Sequence, residues 1–160
     1  MNVSRIALAC VVALSVYSGA ALAQDPTGDA CALLTPAEVS QALGVTVLPG
    51  HHIGSGSTRV CIFAPTPKFG PAERQVVVTL VPLPFFDASN RSIGITAATP
   101  ATVPGADAYF LSTHTVTTIH VRKNGKAFEV RMNPGSSGHE NQAQIQGIET
   151  SLATKAAGRV

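Results

Sequence analysis

Histidine and cysteine are the side chains of this sequence with the clearest chemical potential, and they share one stretch. Residues 48–65 read LPGHHIGSGSTRVCIFAP, in which His51 and His52 precede Cys61 by about ten positions. Paired imidazoles suit ions such as Cu(II) and Ni(II). The stretch is therefore either a metal or catalytic site, or a glycine-rich loop that leads into a strand whose cysteine forms a disulfide.

The first 23 residues bear on this choice because they have the three parts of a secretory signal peptide. Arg5 supplies the positive charge, Ile6 to Val16 are apolar, and small residues precede Gln24. We expect cleavage before Gln24, a bacterial periplasmic or secreted protein, and no membrane span after cleavage. Lipid attachment at Cys10 is the alternative, but this cysteine comes before most of the apolar stretch.

Cleavage of the 23-residue signal leaves 137 residues, which suits a single domain at 24–160 with Cys31 and Cys61 as its cysteines. Two cysteines in an exported protein are expected to form a disulfide. The closed loop of about 30 residues stabilises the fold by roughly 3–4 kcal/mol in the chain-entropy account. The C-x-x-C spacing of a redox-active pair is absent.

With both thiols oxidised, a metal site has to be built from other side chains. The histidines are His51, His52, His114, His120 and His139, and none of them forms the spaced pairs that are typical of zinc sites. His51 and His52 are therefore the candidate metal ligands. The alternative is that both are ordinary polar loop residues.

Enzyme motifs are missing from the sequence. It contains no G-x-S-x-G elbow, no Walker loop and no dinucleotide-binding fingerprint, and its acidic residues are scattered. We predict a non-enzymatic protein without a cofactor. A catalytic site that gathers His114 or His139 with distant residues is the least favoured alternative. The mature net charge of +1, without a basic cluster, argues against nucleic acid as a partner.

Local patterns predict the elements of the first half of the mature chain. Thr35, followed by proline and then Glu38, caps a helix at 36–43 that ends at Gly44. Short strands are expected at 45–48 and 60–64, and a buried central strand at 75–83. Residues 82–108 show no clear period, although Phe85 and Phe86 suit a short helical turn.

The clearest pattern is a hairpin around Asn124-Gly125, the preferred type I′ turn. This turn pairs Lys123 with Lys126 and puts apolar residues on one face. The other face, which includes His120 opposite Glu129, is expected to meet solvent. Tyr109-Phe110-Leu111 predicts a preceding strand, and the tail predicts an amphipathic helix whose apolar positions are Ile145, Ile148, Leu152 and Ala156. These elements predict an α+β fold, with an antiparallel sheet of about four to six strands and the N- and C-terminal helices packed on one face.

The order of these segments resembles a group of small exported or lipid-anchored bacterial proteins of unknown function. The shared features are CALLTPAEVSQALG, a second cysteine in VCIF, VPGADAYF, the hairpin VRKNGKAFEV and a final amphipathic helix. The resemblance rests on the C-x-L-L-T-x-x-E-V opening and covers most of the mature chain. It implies an α+β domain with a disulfide between the first helix and the sheet, and it supplies no catalytic residues.

Phenylalanines in loops suggest a binding role instead. Phe69 lies in a proline-rich loop, and Phe85 and Phe86 follow Pro84. Exposed aromatic side chains on loops are typical of binding surfaces, although the same residues can also cap a core. We therefore predict an envelope protein that binds a partner protein or a small apolar ligand through these residues. Metal binding by His51 and His52 is the alternative function.

Overall fold

A seven-stranded antiparallel sheet dominates the computed structural model, which describes residues 28–54, 59–67, 72–91, 98–113, 116–136 and 138–160. The strands are β1 (His51–His52), β2 (Val60–Phe63), β3 (Gln75–Val81), β4 (Ala98–Pro100), β5 (Asp107–Ser112), β6 (Thr117–Lys123) and β7 (Lys126–Asn133), and they lie in the order β1-β2-β3-β7-β6-β5-β4. The helices are a 3-10 helix (Ala30–Leu33), α1 (Pro36–Leu43), α2 (Leu83–Arg91) and α3 (Gln142–Ala157). None of the helices in these ranges is both long and apolar enough to cross a membrane.

The mixed α+β architecture is confirmed, but the predicted strand count of four to six is too low. The two edge strands, β1 and β4, have only two and three residues. Segments this short cannot show the alternation by which a strand is recognised in a sequence. The predicted strand at 45–48 is absent: the Val47 amide donates to Ser40 Oγ of α1, and only the Leu48 amide donates to the backbone beside β2, at the carbonyl of Ala64.

The first helix is confirmed at the predicted residues. Thr35 Oγ1 accepts the Glu38 amide, the Glu38 carboxylate accepts the Thr35 amide, and Gly44 ends the helix in the left-handed region at φ 68°. The Arg159 guanidinium donates to the Glu38 carboxylate at 2.9 Å and to the carbonyl of Leu33 at 2.8 Å. The hydrogen bond from Arg159 lowers the pKa of Glu38 to about 2. Arg159, near the C-terminal end of the sequence, is thus hydrogen-bonded to the first turn of α1.

The central hairpin is also confirmed. Asn124 and Gly125 have φ values of 50° and 72°, as a type I′ turn requires, and the register from Lys123–Lys126 to Ile119–Val130 is the predicted one. The turn contacts the end of α3, because Lys123 Nζ donates to the carbonyl of Ala157 at 2.9 Å. The Asn124-Gly125 turn, which the local sequence predicts, therefore helps to position α3.

Each face of the sheet carries a buried cluster. Val121 and its cross-strand partner Phe128 belong to the larger cluster, together with Leu34, Val39 and Leu152 of the helical segments. The opposite face holds a smaller cluster of Val81, Phe86, Tyr109 and Ala127. The prediction that this second face meets solvent is wrong around His120, which is only 4% exposed. Helix α2, within which the sequence predicts only a short helical turn at Phe85 and Phe86, contributes the covering Phe86.

The Cys31–Cys61 disulfide is confirmed, and it joins the 3-10 helix to β2. Gly50 passes close beside it. A Cβ atom on Gly50 would lie 2.6 Å from Cys61 Sγ and 2.8 Å from the Phe63 ring. No real contact is this short, so the backbone approaches the disulfide only because position 50 has no side chain.

We expect Gly50→Ala to lower the free energy of unfolding by about 1–3 kcal/mol, because the added methyl group overpacks a buried site. Gly147→Ala is the matched control, since nothing lies within 4 Å of a Cβ built at Gly147 on α3. That control should gain up to about 1 kcal/mol from helix propensity. Urea denaturation of the two variants measures both effects, and a Gly50→Ala variant as stable as the original chain would contradict the account.

Candidate functional site

Helix α2 places two phenylalanines in different environments. The carbonyl of Pro82 accepts the amides of Phe85 and Phe86 and so begins the helix. Consecutive helical residues point about 100° apart. Phe86 is therefore buried against the sheet at 2% exposure, whereas Phe85 is 50% exposed.

Beneath Phe86, a row of side chains crosses the sheet from β5 to β7. The Tyr109 hydroxyl donates to the carbonyl of Phe86 at 2.7 Å, and the two rings are 4.9 Å apart. The His120 ring stacks on Tyr109 at 4.9 Å with an interplanar angle of 4°. His120 Nδ1 lies 3.1 Å from Glu129 Oε1, although without the alignment of a good hydrogen bond. This row fixes α2 on the sheet.

Arg122 forms the charged wall beside this row. Its guanidinium carbon lies 5.1 Å from the centre of the Phe86 ring, a cation–π distance. Its Nη1 donates to Asp87 at 2.8 Å, and its Nε and Nη2 donate to Asp107 at 3.1 and 2.8 Å. The hydrogen bond with Asp107 holds the pKa of Arg122 above its ordinary value. One guanidinium thus links α2, β5 and β6.

These residues border an open groove of about 560 Å³, here called the Arg122 groove. It is lined by Phe86, Asp87, residues 98–101, residues 106–109 and Arg122. Its volume falls in the range of small-molecule sites in proteins. Two carboxylates and one guanidinium give the lining a net negative charge, whereas Phe86 and Tyr109 are almost fully buried beneath it, so the groove suits a ligand with a cationic group.

Comparison with known proteins adds no assignment to this geometry. No protein-family model, no curated protein and no solved structure matches the chain.

The three phenylalanines predicted to bind a ligand have different outcomes. Phe86 lines the Arg122 groove, and Phe85 is exposed on the same helix. Phe69 lies outside the described residues. Phe86 therefore caps the smaller buried cluster at the edge of the groove, and the charged residues beside it, Asp87, Asp107 and Arg122, were not predicted.

The two histidines predicted to bind a metal do not form one site with each other. They are successive residues of β1, and successive strand residues project to opposite faces. His51 is exposed, whereas His52 contacts Asp29 and Cys31. Within the described part of the chain, Asp29, Cys31 and His52 are the group whose donor atoms come within reach of one metal ion. The sequence did not predict Asp29 or Cys31 as members of a metal site.

Several residues with a role at these sites were missed. The Asp107–Arg122 pair could have been found by extending the hairpin register to β5, since the two residues oppose each other across β5 and β6. Asp87 carries no such signal, because α2 has no recognisable period. Of the histidines considered for catalysis, His139 is exposed and His114 lies outside the described residues.

Proposed function

We propose that this chain is an exported, non-enzymatic bacterial envelope protein that binds a small molecule or a segment of a partner protein in the Arg122 groove. The exported location follows from the signal peptide read in residues 1–23, which lie outside the described residues. Its resemblance to small exported proteins supports the same proposal. In this proposal the N- and C-terminal helices together cover one face of the sheet, and the groove on the other face is the binding surface.

The observation that carries the proposal is the arrangement around Arg122. Its guanidinium lies over the ring of Phe86 and joins Asp87 and Asp107, all at the wall of the groove. Such contacts hold long side chains in fixed positions before a ligand arrives, which lowers the entropic cost of binding. The exposed ring of Phe85 on the same helix adds apolar surface near the groove.

The charges of the groove favour a ligand that combines an apolar body with a cationic head. A carboxylate has about four acceptor positions. Asp107 uses one of its oxygens for two N–H donors of Arg122, so the carboxylate retains acceptor capacity. Aromatic amines and basic peptide side chains have this chemistry. An anionic ligand would instead have to displace the carboxylates from Arg122.

Two probes with the same indole body and opposite charge test this proposal. We expect tryptamine to shift the backbone amide signals of residues 98, 99, 101, 106–109 and 122, and indole-3-propionate to bind at least about tenfold more weakly. Asp107→Asn should weaken tryptamine binding by about tenfold, because it removes one charge-assisted contact. Glu73→Gln, which also replaces a carboxylate with an amide but lies outside the groove, should leave tryptamine binding unchanged.

NMR chemical-shift titration of the isotope-labelled mature protein measures the binding of both probes to the original chain and of tryptamine to the two variants. Shifts confined to another surface, or equal affinity for the two probes, would reject the groove as a site for cationic amphipathic ligands.

A further inference from the structure

His52 is oriented toward the disulfide by a carboxylate. Its Nε2 lies 3.3 Å from Asp29 Oδ1, and its Nδ1 lies 3.6 Å from Cys31 Sγ. A histidine that binds a metal ion through Nδ1 can donate its Nε2 hydrogen to a carboxylate, which holds the ring in place. Of the two ring nitrogens of His52, Nδ1 is the one that contacts the sulfur.

Asp29 holds the cysteine as well as the histidine. It caps the 3-10 helix, and its Oδ1 accepts the Cys31 amide at 2.8 Å. The same oxygen thus fixes the backbone of Cys31 and the ring of His52. Carboxylates that orient a histidine and a second ligand in this way surround many protein metal sites.

The second sulfur lies in the same place, because Cys61 Sγ is bonded to Cys31 Sγ. The backbone of Gly50 packs against Cys61 Sγ on one side, with no room for a side chain. The imidazole nitrogen therefore lies 3.6 Å from one sulfur, and the second sulfur is bonded to the first. The sulfurs cannot bind a metal ion as thiolates while they remain a disulfide.

We propose that reduction of the Cys31–Cys61 disulfide creates a binding site for a thiophilic cation such as Zn(II), with Cys31, Cys61 and His52 as ligands and Asp29 as the residue that orients them. Two thiolates and one imidazole are a ligand set that zinc uses in proteins, with a fourth position for water. The site goes beyond the Arg122 groove and does not rest on it. It also differs from a site of paired histidines, since His51 takes no part.

The reducing agent is a small-molecule thiol. Its thiolate attacks Cys31 Sγ, which is only partly buried whereas Cys61 is fully buried, and the Cys61 thiolate leaves. A second thiolate then attacks the mixed disulfide, so that two thiols become one small disulfide and the protein disulfide gains two electrons and two protons. Binding of Zn(II) releases those two protons to solvent.

Zinc alone, in competition with a chromophoric chelator, tests the proposal on the mature protein under argon. We expect one zinc ion per reduced chain and at least about 100-fold weaker binding by the oxidised chain. His52→Ala should weaken zinc binding at least tenfold, and Asp29→Asn by about tenfold. The neighbouring His51→Ala variant is the matched control and should bind like the original chain.

Cobalt(II) gives a second readout, because tetrahedral thiolate coordination produces a characteristic visible absorption that His52→Ala should change and His51→Ala should not. Equal effects of the two histidine substitutions would overturn the proposal. That result is also the one expected of a reduced chain that unfolds, in which the two adjacent histidines are equivalent. Zinc binding of equal strength by the oxidised chain would overturn it too.

Discussion

Glu149→Gln is expected to raise the free energy of unfolding at pH 8 by up to about 3 kcal/mol and to remove most of its pH dependence between pH 4.5 and 7. Glu149 lies on α3 and is completely buried. Its Oε2 accepts the Thr117 hydroxyl at 2.7 Å and its Oε1 accepts the Met132 amide at 3.0 Å. The carboxylate bridges β6 and β7 two residues beyond Ile119–Val130, the last pair of their ladder.

Burial raises the pKa of Glu149 from 4.5 to about 7, against the opposing effects of the Met132 and Thr117 hydrogen bonds and of the Arg131 charge. A carboxyl group with a raised pKa binds a proton more tightly in the folded chain than in the unfolded chain. The folded state is therefore favoured most below pH 4.5, and it loses stability as the pH rises toward 7. Glutamine resembles the protonated acid, so the variant avoids this loss.

Urea denaturation at several pH values, with Glu38→Gln as the control, measures the effect. The pKa of Glu38 is lowered rather than raised, so this carboxylate stabilises the fold above pH 4.5 and stops doing so as the pH falls toward 2. The same substitution at Glu38 should therefore destabilise the chain at neutral pH. A Glu149→Gln variant that loses stability at pH 8 would show that Glu149 is charged there at no cost.

The double variant Cys31→Ala/Cys61→Ala is expected to lose about 3–4 kcal/mol of stability. The disulfide spans a sequence separation of 30 residues and ties the 3-10 helix to β2. Without it, the unfolded chain regains the freedom of an open loop, which lowers the relative free energy of the unfolded state. An average domain has only about 5–15 kcal/mol of stability, so this loss is a large part of the total.

Urea denaturation of the oxidised chain, the reduced chain and the double alanine variant separates two causes of such a loss. If the constraint on the unfolded chain is responsible, the reduced chain and the double variant lose similar amounts. If the smaller alanine side chains are responsible, only the double variant is destabilised. A reduced chain that is as stable as the oxidised one would contradict the prediction.

Elements whose signals lie within a few residues could be predicted from the sequence. The helix at 36–43 has its capping box and its terminal glycine in the sequence, and the hairpin register follows from Asn124-Gly125. The edge strands β1 and β4 could not be predicted, because each is too short to have a period, and of α2 only a short helical turn at Phe85 and Phe86 is predicted. Tertiary contacts stabilise these elements, as the packing of Phe86 on Tyr109 shows for α2.

The candidate sites also contain features that could be predicted from the sequence and features that could not. The Cys31–Cys61 pairing follows from a count of cysteines if the expected signal peptide is removed, and the structure confirms the pairing. The burial of Glu149 could have been predicted, because the residue lies between Ile145 and Leu152 at helical spacing, on the apolar side of α3. Its hydrogen-bond partners could not have been predicted, because Thr117 and Met132 belong to strands that are distant in the sequence.

The sequence by itself determined the first helix and the central hairpin, because caps and turn residues act locally. It also predicted the disulfide, because Cys31 and Cys61 are the two cysteines of residues 24–160 and the third lies in the expected signal peptide. Only the tertiary structure decided that Arg122 meets Phe86, Asp87 and Asp107, and that His52 rather than His51 meets Asp29 and Cys31. Those contacts join residues that are distant along the chain. Their formation depends on strand order and on which face a helix covers, and neither is encoded in local spacing.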